Sequence, residues 1–140
     1  MSLFEISSIR RTEETAKNAA QLPALTLAYI GDTVYDLFVR TMLVETMDAN
    51  AHKLHLAATG YVRAAAQAAA FRRIEPLLSE EESREFHRGR NAHSGSVPKN
   101  ASVTDYRTAT GLETLIGYLY CTNRDDRIRE LMTIILNDEV

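Results

Sequence analysis

Residues 25–40, LTLAYIGDTVYDLFVR, constrain this chain more than any other stretch. The run holds no proline and no charge before Asp32, so it can form a helix. Leu27, Ile30, Val34, Leu37 and Thr41 follow one face at three- and four-residue steps. Leu25, Ala28, Tyr29, Tyr35, Phe38 and Val39 make the other sides apolar too. A helix that is hydrophobic all round is normally buried, in a core or in a subunit interface. Asp32 nevertheless sits in its middle, with Asp36 one turn further along the same side. A carboxylate buried there requires a partner, a metal or a proton. Gly31 sharpens the point, because a mid-helix glycine is worse than alanine by roughly 1 kcal/mol. Close backbone approach beside the acid is the expected reason for it. On this helix alone a second reading stands beside the first: both aspartates partly exposed, or salt-bridged to arginines.

The 140 residues suffice for one domain with a real core, and 45% hydrophobic with 25% charged residues is an ordinary globular balance. Cys121 is the only cysteine, which excludes an internal disulfide framework and any cysteine-based zinc pattern. No long apolar run precedes Leu22, so neither a signal peptide nor a membrane span is expected, and the chain reads as cytoplasmic. The net charge of −3 hides a segregation. Between Arg84 and Arg107 the balance is +3, from Arg84, Arg88, Arg90, Lys99 and Arg107 against Glu85 and Asp105, which leaves −6 elsewhere. For recognition of a polyanion, that distribution matters more than the total.

Taken in order, residues 1–21 are a polar lead-in, with a short helix over 11–21 ended by Pro23, and 22–140 form the main domain. The apolar helix extends to about Glu45, and residues 48–50 make a turn. Residues 51–61 and 62–74 have helical composition, and Pro76 ends that pair. Ser79 followed by Glu80, Glu81 and Glu82 is a capping box that opens a helix to about Arg88. Residues 89–101, GRNAHSGSVPKNA, show turn residues and no apolar period. Helices over 103–121 and 125–137 close the chain, with Asn123 as a cap between them. No segment shows strand alternation, so the expected fold class is all-α, with about seven helices and one prominent polar loop.

The helix over 103–121 carries the second informative acid. Leu112, Leu115, Ile116 and Leu119 form its core stripe, while Glu113 lies off it with Ala109 and Gly117 one turn to either side. So small a face permits close approach of another helix, and a crossing there would join Asp32 to Glu113. Facing carboxylates in a helix bundle commonly hold divalent ions, and all-oxygen ligation favours Mg²⁺ or Mn²⁺. The competing reading is a structural glutamate paired with Arg107 or Arg88. The segment 88–100, RGRNAHSGSVPKN, offers the donors that bind phosphate and sugar oxygens, or is simply a solvated loop. It lacks the order of a nucleotide P-loop. His52 and His55 lack the HExxH pattern and read as surface or packing residues, and Tyr118, Tyr120 and Cys121 read as packing.

AYIGDTVYD resembles the signature of the ribonuclease III fold, and LETLIGYLY resembles that fold's second acidic segment. RGRNAHSGSVPKN followed by Tyr106-Arg107, with KLHLAATGYVRAAAQA upstream, is similar to the small Mini-III ribonucleases, which lack a double-stranded-RNA-binding domain. The resemblance runs from about Leu22 to Leu136. It implies a homodimeric endonuclease that acts on double-stranded RNA and trims the ends of the 23S ribosomal RNA precursor, leaving 5′-phosphate and 3′-hydroxyl ends. It implies Asp32 and Glu113 as catalytic and metal-binding residues, with Mg²⁺ as cofactor and Mn²⁺ as substitute. Ala28 and Thr110 stand where the larger ribonuclease III enzymes carry acids, which leaves the number of metals open.

The mechanism expected is metal-assisted phosphodiester hydrolysis. Arg84, Arg88, Arg90, Asn91, Lys99, Asn100 and Arg107 are the expected RNA-binding residues, suited to the shape, phosphates and 2′-hydroxyls that A-form RNA presents. Modest affinity would leave substrate choice to RNA presentation or to a bound ribosomal protein. Two alternatives remain: a catalytically impaired RNA-binding assembly factor of the same fold, and a helical protein–protein adaptor.

Overall fold

The computed structural model describes residues 13–92, 97, 99 and 102–137. Seven α-helices lie among them: α1 (Glu13–Asn18), α2 (Ala24–Thr46), α3 (Ala51–Val62), α4 (Ala64–Ile74), α5 (Glu80–Arg90), α6 (Val103–Cys121) and α7 (Asp125–Leu136). No strand occurs among the described residues, so the all-α class holds.

The helix ends follow local chemistry. A 3₁₀ turn at Ala19–Gln21 stops the first segment just before Pro23, which leads into α2. The Asn50 side chain accepts the Lys53 N–H at 2.9 Å to start α3. At α5 the capping box is complete: Ser79 Oγ accepts from the Glu82 N–H, and Glu82 accepts from the Ser79 N–H. Ser102 caps α6 in the same manner by accepting the Asp105 N–H. Asn123 adopts φ 61, the left-handed conformation that asparagine tolerates, and turns the chain between α6 and α7.

Helix α6 is the hub. Leu112, Leu115, Ile116 and Leu119 are fully buried, and α2, α4 and α5 all pack against it. Glu82 ties α7 to this core through the Arg127 guanidinium, with 2.8 and 2.9 Å bonds to its two oxygens.

Two expectations require correction. Helix α5 continues to Arg90, so Arg88, Gly89 and Arg90 are helical and the polar segment begins later. Helix α2 is not buried all round: Leu27, Val34, Tyr35 and Val39 face the core, while Leu25, Tyr29, Leu37 and Val44 are exposed. The buried face of α2 runs through Leu27, Gly31, Val34, Tyr35 and Val39, rotated from the expected stripe toward the side that meets α6, which leaves Leu37 and Thr41 in solvent.

Candidate active site

Two glycines set the distance between α2 and α6. A Cβ built at Gly31 would stand 1.8 Å from the Glu113 carbonyl oxygen, and one at Gly117 would stand 1.9 Å from that of Leu27. Any larger residue would force the backbones apart, so the two helices touch main chain to main chain. Each glycine lies beside or one turn from an acid. The crossing therefore brings Asp32 of α2 to Glu113 of α6.

Asp32 lies close enough to act on the charge of Glu113, but the surroundings of the two acids differ. Asp32 is exposed, contrary to the burial its position among apolar residues suggests, because it lies at the edge of the core-facing arc of α2. Glu113 is half-buried. Burial first, then the neighbouring Asp32 charge and the hydrogen bond with it, push the Glu113 carboxyl up to about 8, partly offset by a hydrogen bond from Gln67. Glu113 is thus held toward its protonated form.

Gln67 is the site residue that the sequence pattern conceals. It is 2% exposed, in the middle of alanine-rich α4. Its Nε2 donates to the Val62 carbonyl at 2.9 Å and to Glu113 Oε2 at 3.4 Å, and its Oε1 is buried without a partner. The only available signal was its isolation, as the one polar side chain in AAAQAAA.

This donor set suits a divalent, oxygen-seeking ion. Two converging carboxylates, one of them held toward its protonated form by burial and by like charge, and an orphaned amide oxygen on the side chain that reaches Glu113 all gain from a hydrated Mg²⁺ or Mn²⁺. No group of three or more His, Cys, Asp or Glu residues gathers among the described residues, so Asp32 and Glu113 would leave most coordination positions to water. Ala28 is buried and adds no donor, and the Thr110 hydroxyl donates to the Tyr106 carbonyl at 3.0 Å. Asp36 pairs with Arg40 at 2.9 Å.

Neither arginine proposed as a partner of Glu113 fills that role. Arg88 pairs with Glu85 at 2.9 Å and donates to the Leu22 carbonyl at 2.6 Å, which ties α5 to the entry of α2. Its guanidinium is engaged inside the fold. Arg84, Arg90, Asn91, Lys99 and Arg107 are exposed. Asn100 and His93 lie outside the described residues. His52 and His55 are exposed, and Cys121 is buried at the end of α6.

The chain is also similar to known proteins. A family model for the ribonuclease III domain matches residues 25–124, which include both acids. A Mini-ribonuclease 3 of Clostridium tetani is 46% identical over 126 residues, covering 89% of this chain and 83% of that protein. One from Symbiobacterium thermophilum is 43% identical over 115 residues, covering 82% of this chain and 88% of the relative. The crystal structure of a Fusobacterium nucleatum protein superposes with a TM-score of 0.78 at 25% identity, across 88% of this chain and 98% of that one.

Proposed function

This chain belongs to the ribonuclease III family, and from that premise we propose that it is an endoribonuclease that hydrolyses double-stranded RNA using a divalent cation held by Asp32 and Glu113. The observation that carries the reading is the meeting of those two carboxyls at the Gly31–Gly117 crossing. When bound, Mg²⁺ would lower the pKa of a water and neutralise charge on the phosphate. Glu113 must give up its proton to serve as a ligand, and its burial makes that step dependent on pH and on the cation. Asp32, at the exposed rim, faces the side from which a polyanion can approach. No histidine base is required.

Arg84 and Arg90 on α5, Arg107 on α6, and Asn91 and Lys99 beyond α5 supply the RNA contacts in this reading, and Asn100 completes the set. The exposure of Arg84, Arg90, Asn91, Lys99 and Arg107 supports it. We assign Arg88 to the fold instead. A-form RNA is read through its phosphates and 2′-hydroxyls, so affinity should be modest and should fall with salt. We take the 23S ribosomal RNA precursor as the substrate, with products bearing 5′-phosphate and 3′-hydroxyl ends. A bound ribosomal protein would compensate for weak intrinsic affinity.

The assembly we favour is a homodimer across α2. Its exposed Leu25, Tyr29, Leu37 and Val44 form an apolar stripe that a second copy would cover. A two-fold axis there would set two sites against one duplex, one for each strand. Among the described residues no helix is long and apolar enough to cross a membrane.

The absence of acids at Ala28 and Thr110 favours a second reading, an RNA-binding assembly factor with impaired catalysis. A long RNA duplex incubated with the protein, with and without Mg²⁺, separates the two. Cleavage that requires the cation and disappears in Asp32→Asn and Glu113→Gln supports the enzyme. Binding without cutting, even on precursor ribosomal RNA, supports the assembly factor.

A further inference from the structure

Gln67 does more than pack. Its amide orientation follows from the Val62 carbonyl, which can only accept and so calls for the NH₂ end. A flipped amide would set oxygen against oxygen there. Oε1 is therefore the end left buried and unpartnered. Such an orphan is uncommon in a folded protein and calls for an explanation. It lies in a side chain that reaches the less exposed of the two acids.

We propose that Gln67 is a positioning residue of the carboxylate site: Nε2 holds the Glu113 carboxylate in place, and Oε1 accepts a hydrogen bond from a water bound to the cation. The inference rests on the metal-binding reading of Asp32 and Glu113 given above. It also links the site to the corner between α3 and α4, because the same NH₂ group satisfies the carbonyl of Val62, the last residue of α3. The competing role is purely structural, with Gln67 present only to cap that carbonyl.

Titration calorimetry with Mn²⁺ on the intact protein, without RNA, distinguishes these roles. Wild type is compared with Asp32→Asn, Gln67→Met and Gln67→Glu, and thermal melts without cation verify that each variant folds. Gln67→Met removes both polar ends at constant length and should weaken Mn²⁺ binding by about tenfold or more, the usual range for loss of a partner that orients a metal ligand. Gln67→Glu loses the 3.4 Å bond that holds Glu113 but sets a carboxylate, a stronger acceptor, in place of the amide oxygen; the second effect outweighs the first, so this variant should bind as tightly as wild type or tighter. A structural cap predicts otherwise, since both variants lose the bond to Val62 and would be damaged alike. Equal weakening in the two variants, or wild-type binding by Gln67→Met alongside loss in Asp32→Asn, overturns the inference and leaves the metal reading standing. No Mn²⁺ binding by wild type overturns both. Should Gln67→Met fail to fold, weaker binding by Gln67→Glu than by wild type is sufficient to overturn it.

Discussion

The carbonyl oxygen of Glu113 occupies the space that a side chain on residue 31 would need, 1.8 Å from an ideal Cβ on Gly31. The obstruction is main chain, with the Glu113 carbonyl carbon and the Gly117 nitrogen each 2.7 Å away, so no rotamer change relieves it. Helix α2 and helix α6 are set at one separation by this contact, and with them the two acids.

Gly31→Ala should therefore lower stability by at least the 1–3 kcal/mol typical of overpacking, roughly 2–4 °C in Tm per kcal/mol for a chain near this size. Activity on duplex RNA should fall further than the fold does, because the acids separate. Gly60→Ala is the control: a Cβ there meets nothing within 4 Å, and the change should stabilise α3 by up to about 1 kcal/mol. Paired melts and cleavage assays test both, and a Gly31→Ala protein that melts and cuts like wild type would refute the argument.

Stability without cation should decline as pH rises from about 4.5 to about 8. The folded Glu113 carboxyl is raised to about 8 by burial and by Asp32, so over that window the folded state binds more protons than the unfolded chain. The difference favours folding at low pH and is lost as the pH climbs through the folded value. Glu113→Gln should flatten this slope and exceed wild type in Tm near pH 8, while abolishing cleavage. Added Mg²⁺ should restore wild-type stability at that pH. Melts across pH 5–9, with and without cation, examine all three outcomes together.

The arginines should divide by mechanism. Arg84→Glu and Arg90→Glu alter exposed side chains, and should weaken RNA binding and reduce its salt dependence while leaving stability within about 0.5 kcal/mol of wild type. Arg88→Ala breaks the bonds to Glu85 and to the Leu22 carbonyl. The Glu85 side chain is 5% exposed and would lose its cation, which costs several kcal/mol where a buried pair is broken. Filter binding at two salt concentrations beside a denaturant melt separates the effects. An Arg88→Ala protein with normal stability and weak RNA binding would return Arg88 to the RNA interface.

Replacing Tyr29 and Leu37 together by aspartate should give a folded monomer. These side chains are 80% and 47% exposed, so little of the core depends on them. Two carboxylates on the α2 stripe would repel across a two-fold axis. Sedimentation should show a mass near 16 kDa for the variant and twice that for wild type. A wild-type protein that is monomeric at micromolar concentration would refute the dimer.

Much of the architecture was legible in residue order because helix signals are local. The capping box at Ser79, the stop at Pro23 and the four-residue core stripe of α6 each involve groups within a turn or two of one another, and helix α6 runs over Val103–Cys121 as its pattern indicates. The small-residue faces around Asp32 and Glu113 also pointed to a close crossing, since a helix missing its side chains on one face invites another backbone. Burial along α2 was less legible. An apolar side chain reads the same whether it faces a core or an uncovered surface, so Tyr29 and Leu37 could not be told from Leu27 and Val34.

Residue order alone thus determined an all-helical chain with two acids on small, close-packing faces and a separate band of positive charge. Only the tertiary structure decided what each polar group does. Gln67 stands 46 residues from Glu113, and Arg88 stands 66 from the Leu22 carbonyl it binds. Periodicity carries no information across such separations, because a hydrogen bond depends on where the helices cross and on which atoms are left there without water.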